Sequence, residues 1–231
     1  MNNQALAIQN LRATISEMME AVKSQMSRAK LALETLDKDM AHEIISLEKK
    51  VNAMDININK ACENILALYN PLAMDLRFVL ACLNVNNQLE RMGDHAESIA
   101  KYILEDEITE KFSPEILEAV EYNRAFEISL SMIDDAIYSF LNEDTEIAKW
   151  VFGKDLTLNK INKTFPKILA EFVQKNPEKT SSYLYLFSIM KKLERIGDLA
   201  KNIAEETVFY VDAKLIRHKD EKFKHKYRTN E

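Results

Sequence analysis

Residues 89–94 read Leu-Glu-Arg-Met-Gly-Asp, residues 193–198 read Leu-Glu-Arg-Ile-Gly-Asp, and the two glycines lie 104 positions apart. Each copy sits where apolar residues recur every three or four positions, so each puts a glycine inside a helix. A helix-interior glycine costs about 1 kcal/mol relative to alanine. The carboxylate pairs on the same turns, Glu90 with Asp94 and Glu194 with Asp198, add a repulsion of roughly 0.2–0.5 kcal/mol each. A chain that repeats both penalties at corresponding places is built from two copies of one helical unit.

The rest of the chain supports this reading. Three glycines and four prolines in 231 residues leave little room for hairpins and predict long helices. Leu11, Ile15, Met18, Met19, Val22 and Met26 form one apolar face of a first helix over about 4–36. Leu36-Asp37-Lys38-Asp39 breaks it, and a second helix runs to about residue 69. Asn70-Pro71 is a stop and restart, because proline disfavours helical geometry in the residue before it and is welcome in a first turn. A third helix then reaches about residue 105. Glu105 to Glu110 reads as a linker, and Ser113-Pro114-Glu115 as a new helix start. The second half repeats the plan, with helices over 114–141 and 144–175, Asn176-Pro177, and a last helix to about 212. Pro166 should kink the fifth helix or end it early. The expectation is an all-α protein of two tandem three-helix bundles, 1–110 and 111–213, followed by a tail over 214–231.

Composition and charge exclude several functions. A net charge of −6 argues against general nucleic-acid binding. No signal-peptide-like segment and no apolar run of 18 residues is present, which predicts a soluble, intracellular protein. Cys62 and Cys82, isolated in apolar surroundings, read as buried thiols, and Trp150 as core or interface filling. The tail carries seven Lys or Arg between residues 214 and 228; it is either a solvated terminus or a contact for anionic lipid or an acidic partner. No P-loop, nucleophile elbow or zincin helix occurs.

The polar face of the duplicated motif suggests cation binding. Glu48, Asn52, Asp55 and Asn59 form a stripe on the second helix; Asp155, Asn159 and Asn162 form one on the fifth. Folding the hairpins about 70–71 and 176–177 sets Glu48 level with residue 93 and Asp155 level with Asp198. Each half thus assembles two helical pairs, Glu48/Asn52 with Glu90/Asp94 and Asp155/Asn159 with Glu194/Asp198. These hard oxygen ligands suit Mg, Ca, Mn or Fe. His95 has no counterpart in the second half, where Leu199 stands, and reads as a neighbouring or surface residue. The Glu-x-x-His pair of di-iron bundles is absent.

With "EKKVNAMDININKACENILALYNPLAMDLRFVLACLNVNNQLERMGDHAESIAKYI" in the first half and "DLTLNKI" and "LERIGDLAKNIAEE" in the second, the chain resembles the PhoU family of phosphate-uptake regulators. The likeness extends to about residue 212. It implies two three-helix bundles, commonly dimeric, whose acidic motifs hold iron, zinc or another divalent metal at Glu48, Asn52, Glu90, Asp94, Asp155, Asn159, Glu194 and Asp198. It also implies a cytoplasmic adaptor rather than an enzyme, without organic cofactor. Its partners would be the ATPase subunit of a phosphate ABC transporter and a sensor histidine kinase, and any membrane association would run through them or through the basic tail. The alternatives are an accessory regulator of a low-affinity phosphate carrier and a metal-dependent hydrolase or oxidase. The chain departs from the fully acidic pattern at Asn52 and Asn159. It also lacks a second Asp-Leu-Arg, with Lys179, Thr180 and Ser181 in that place.

Overall fold

The computed structural model describes residues 3–214. Three helices form the first half: α1 (Asn3–Thr35), α2 (Lys38–Tyr69) and α3 (Ala73–Leu104). The second half has the short α4 (Pro114–Ala119), then α5 (Tyr122–Asn142), α6 (Thr145–Lys175), a 3-10 turn (Pro177–Lys179) and α7 (Thr180–Asp212). The expected tail lies almost wholly outside the described residues.

The breaks follow local chemistry. Asp37 caps α2 by accepting from the Met40 N–H at 2.9 Å, and Asp144 caps α6 by accepting from Glu146 and Ile147, both at 3.0 Å. Asn70 ends α2 in the left-handed conformation that asparagine tolerates. One boundary differs from expectation. The helix predicted over 114–141 is split at Val120–Glu121, where Glu121 takes φ 54° and α4 turns aside to bury Ile116. No glycine or proline marks this break. Pro166 does not end α6, which continues to Lys175.

In each half the three long helices pack on one another, and the halves meet through α3 against α7 and α1 against α5. The predicted apolar faces are the core. Leu11, Ile15, Met18, Met19, Val22 and Met26 are buried, as are Leu89, Met92, Ala96 and Ile99 and their counterparts Leu193, Ile196, Ala200 and Ile203. They belong to a single hydrophobic cluster spanning both halves, so the two bundles share one core. Both cysteines are buried and free, as expected. Trp150 is 60% exposed and is no part of that core.

One end of the junction is held by Phe78 of α3, Phe140 of α5 and Tyr210 of α7, with ring centroids 5.2–6.0 Å apart. Tyr210 Oη donates to the Phe140 carbonyl at 2.7 Å, and the Arg12 guanidinium lies 4.3 Å from the Phe78 centroid. Arg77 of the Asp-Leu-Arg segment donates to the Tyr210 carbonyl at 3.0 Å, while Asp75 accepts from Gln4 at 3.1 Å. Both side chains therefore fasten helix ends, and Arg77 does so across the halves.

Candidate functional site

The glycines show how closely the helices approach. A Cβ built on Gly93 would collide with the Glu48 carboxylate and stand 3.2 Å from Gln25 Oε1. On Gly197 it would stand 2.5 Å from Leu158 Cδ2 and 3.4 Å from Met132. An added Cβ would force the end of the Glu48 or Leu158 side chain to move, so in both halves glycine lets the neighbouring helix pack close. Glu48 and Leu158 hold equivalent places, as do Gln25 and Met132.

In the first half that place is polar. Glu48 is buried, 2% exposed, and accepts from Gln25 Nε2 at 2.7 Å; Gln25 is itself fully buried on α1. Glu48 Oε1 and Gln25 Oε1 have no hydrogen-bond partner. Burial raises the Glu48 carboxyl to about 7, against the opposing hydrogen bond from Gln25, and Asp94, Glu97 and Glu90 push it further in the same direction. Glu90 is also raised, by burial first and then by Asp94 and Asp55. Along the groove, Asp55 accepts from the buried Asn86 at 2.7 Å and from Asn59 at 3.1 Å. Asn52 is exposed. The predicted level of Glu48 with residue 93 is what the structure shows. Glu48, Glu90 and Asp94 form one electrostatically coupled group, with Asp55 and Glu97 beside it.

In the second half the place against the glycine is apolar. The hairpin closes through the 3-10 turn at 177–179, and Leu158 faces the glycine. Asp155 sits one helical turn away, buried, and meets Lys201: Nζ lies 3.1 Å from Asp155 Oδ2 and 2.8 Å from Asp198 Oδ1. Asp155 and Asp198 do come together as predicted, but around an ammonium. Burial pulls Lys201 down, yet its bonds to Asp198 and Asp155 outweigh this and leave its pKa raised. Glu194 is paired with Lys191 at 3.1 Å, and Asn159 is half-buried. The residue equivalent to Lys201 is Glu97, which pairs outward with Lys101 at 2.7 Å.

Sequence reasoning missed Gln25 and Asn86, and it did not assign Lys201 as counter-ion. Gln25 had a signal: it is a polar residue on the apolar stripe between Val22 and Ala29. Among the described residues, no three His, Cys, Asp or Glu side chains stand close enough together to hold a metal ion. His95 is half-buried between the halves; burial, then Lys192, Arg195 and Arg91, lower it to about 4. Arg91 and Arg195 make no ion pair with the neighbouring acids.

Two copies of a three-helix bundle, joined along the motif-bearing helices and carrying an acidic outer groove in each copy, define a duplicated helical-bundle scaffold; among the described residues no helix is long and apolar enough to cross a membrane. The chain belongs to the PhoU family, whose PhoU domain matches residues 15–103 and again 122–207. A Burkholderia relative, "Phosphate-specific transport system accessory protein PhoU homolog", is 31% identical over 212 residues, covering 91% of this chain and 89% of the relative. The Escherichia coli (strain K12) accessory protein PhoU is 28% identical over 211 residues, covering 91% and 86%. The crystal structure of PhoU from Pseudomonas aeruginosa superposes with a TM-score of 0.85 at 28% identity, covering 91% of this chain and 99% of that one. PhoU from Streptococcus pneumoniae, a phosphate transport system regulatory protein, gives 0.81 at 29%, covering 93% and 99%. The protein is thus a PhoU-family accessory protein of phosphate-specific transport.

Proposed function

We propose that the protein is a cytoplasmic adaptor that restrains high-affinity phosphate uptake and phosphate-starvation two-component signalling. It does so without turnover, by contacts with the ATPase subunit of a phosphate ABC transporter and with a sensor histidine kinase, and it works as a homodimer. The observation that carries this reading is the likeness, over nine-tenths of the chain and through both copies of the domain, to accessory proteins of phosphate-specific transport. Purification of the native protein from phosphate-replete cells, with the co-purifying chains identified, tests it. Recovery of the transporter ATPase or the kinase is expected. Recovery of neither, together with unchanged starvation-gene expression on deleting the gene, overturns it.

A divalent cation fits the first groove on charge. Glu48 offers a buried oxygen without a partner, and Glu90 and Asp94 add negative charge with no cation bonded to them. Glu48, Glu90 and Asp94 do not stand close enough together to hold an ion as they are, so Glu48, Asn52, Glu90 and Asp94 would have to draw in around it, and it would supply positive charge that neutralises this face. In the second groove Asp155, Asn159, Glu194 and Asp198 are the corresponding set, and there Lys201 competes with any ion for Asp155 and Asp198. Metal analysis of protein purified without chelator should find a cation that Glu90→Gln with Asp94→Asn removes and Glu194→Gln with Asp198→Asn leaves. No cation in the parent protein ends this part of the reading.

A further inference from the structure

The seam between α3 and α7 carries a feature that the acidic grooves do not use. The two helices run antiparallel: Tyr102 Oη meets Ser188 Oγ at 2.8 Å, and Asn202 Nδ2 donates to Gln88 Oε1 at 3.0 Å. Both pairs share one register, and that register sets Ser98 across from Lys192, His95 across from Arg195, and Arg91 across from Leu199. On α3 these positions are 91, 95, 98 and 102; on α7 they are 188, 192, 195 and 199. Each set steps by three or four, so each is one stripe, and the two stripes line a single groove. None of the residues but Leu199 is buried, so the groove opens to solvent.

Its chemistry is cationic and rich in donors. The Lys192 ammonium lies 5.5 Å from the Tyr102 ring centroid, and Arg91, Lys192 and Arg195 all bear on the His95 ring. In a chain of net charge −6, none of these three cations has a carboxylate within ion-pair distance among the described residues. Glu90 feels the charge of its neighbour Arg91 but is not ion-paired to it. Glu90 and Asp94 act on the α2 side, with Asp55 and Glu48, while Asp198 joins Asp155 on the α6 side through Lys201. Three cations without an ion-paired carboxylate, Lys192 hydrogen-bonded only to Tyr102 and Arg91 only attracting Glu90, form an arrangement that an anion would stabilise.

We propose that this groove binds a small tetrahedral oxyanion of the phosphate class. Arg195 offers a planar fork suited to two oxygens of one anion, and Lys192 a point charge from the same helix. Arg91 adds charge from α3, and Ser98, Ser188 and Tyr102 supply uncharged partners that can satisfy the remaining oxygens. Several converging cations favour a dianion over a monoanionic carboxylate. The site lies on the seam, so its occupant would touch both halves at once and fix α3 against α7. This follows from the groove alone and is independent of which transporter or kinase the protein serves.

Isothermal titration of the full chain with inorganic phosphate tests it, at constant ionic strength and with acetate as the comparison anion. Saturable binding of one phosphate per chain is expected, with acetate much weaker. Arg195→Gln and Lys192→Gln should each weaken it by about tenfold or more. Lys60→Gln, an exposed α2 cation, should leave it unchanged. Circular dichroism checks that each variant folds, and Arg91→Gln replaces any that does not. No saturable binding up to ~10 mM phosphate, far weaker than a useful site would be, overturns the proposal. Equal losses in Lys60→Gln and the groove variants, or acetate binding as tightly as phosphate, overturn it as well. None of these results bears on which proteins co-purify with the chain.

Discussion

The two halves share a backbone plan and differ in what they place against the same glycine. Around Gly93 stand a carboxylate and an amide, Glu48 and Gln25; around Gly197 stand two apolar side chains, Leu158 and Met132. The second half resolves its acidic face internally, with Lys201 between Asp155 and Asp198. The first half has Glu97 at Lys201's place, which adds negative charge near Glu48 instead of removing it. The duplicated glycine is thus a packing device common to both copies. The carboxylates that no internal ammonium bridges belong to the first copy.

The largest expected effect tests the internal counter-ion. Lys201→Met removes the ammonium that bonds both the buried Asp155 and Asp198, and removing one member of a buried pair is strongly destabilising. Because Lys201 is partly exposed, we expect a loss of about 3 kcal/mol in urea unfolding, at the lower end of that range. Glu97→Met removes only an outward i,i+4 pair with Lys101 and should cost less than about 0.5 kcal/mol. Equal losses from the two substitutions would erase the asymmetry. The same Lys201→Met protein should bind divalent cations in its second half when the parent does not, as read by metal analysis.

Next in size is Glu48. Its folded pKa of about 7 lies above the ordinary carboxyl value of 4.5, so between these limits the native state binds more protons than the unfolded state. The sign follows: this group's contribution is fully favourable below about pH 4.5 and is lost as pH rises through about 7. Glu48→Gln keeps an acceptor for Gln25 Nε2 and adds a donor for the unpartnered Gln25 Oε1. It should therefore stabilise the metal-free protein by roughly 2–3 kcal/mol at pH 8 and by almost nothing at pH 4.5. Denaturation midpoints across that range measure it, and a Glu48→Gln curve parallel to the parent's would show that the carboxyl is not buried in solution.

Much of this was legible in advance, for identifiable reasons. Long periodic faces name their own core: each predicted apolar stripe of α1, α3 and α7 is buried because a three-to-four-residue period admits one inward side. Asn70-Pro71 and Asn176-Pro177 marked the hairpins because proline acts on its own backbone and its neighbour's. The split at Glu121 was not legible, since a glutamate in left-handed conformation leaves no compositional trace and is held there by the packing of Ile116. Glu48 was found by counting from a sharp turn. Asp155 was found the same way and meets Asp198 through Lys201, while Leu158 takes the place against the glycine. A search for ligands on the hairpin helices passed over Gln25, whose signal lay on the apolar stripe of a third helix, and Lys201, which is a cation rather than a ligand.

The smallest effect probes the feature the halves hold in common. Gly197→Ala gains about 1 kcal/mol of helix propensity but drives a methyl into Leu158 Cδ2, and overpacking of this kind costs about 1–3 kcal/mol. A net loss of about 1 kcal/mol is expected. Leu158→Ala alone opens a cavity, and the double variant should recover part of the loss because the new methyl fills it, giving a coupling of about 1 kcal/mol in a double-mutant cycle. Gly93→Ala should behave likewise with Glu48→Ala, but there the coupling should change with pH, since the group displaced is a titrating carboxyl rather than a methyl. Two pH-independent couplings would mean that the carboxylate against Gly93 is packed as inertly as a leucine, and the distinction between the copies would then rest on Lys201 alone.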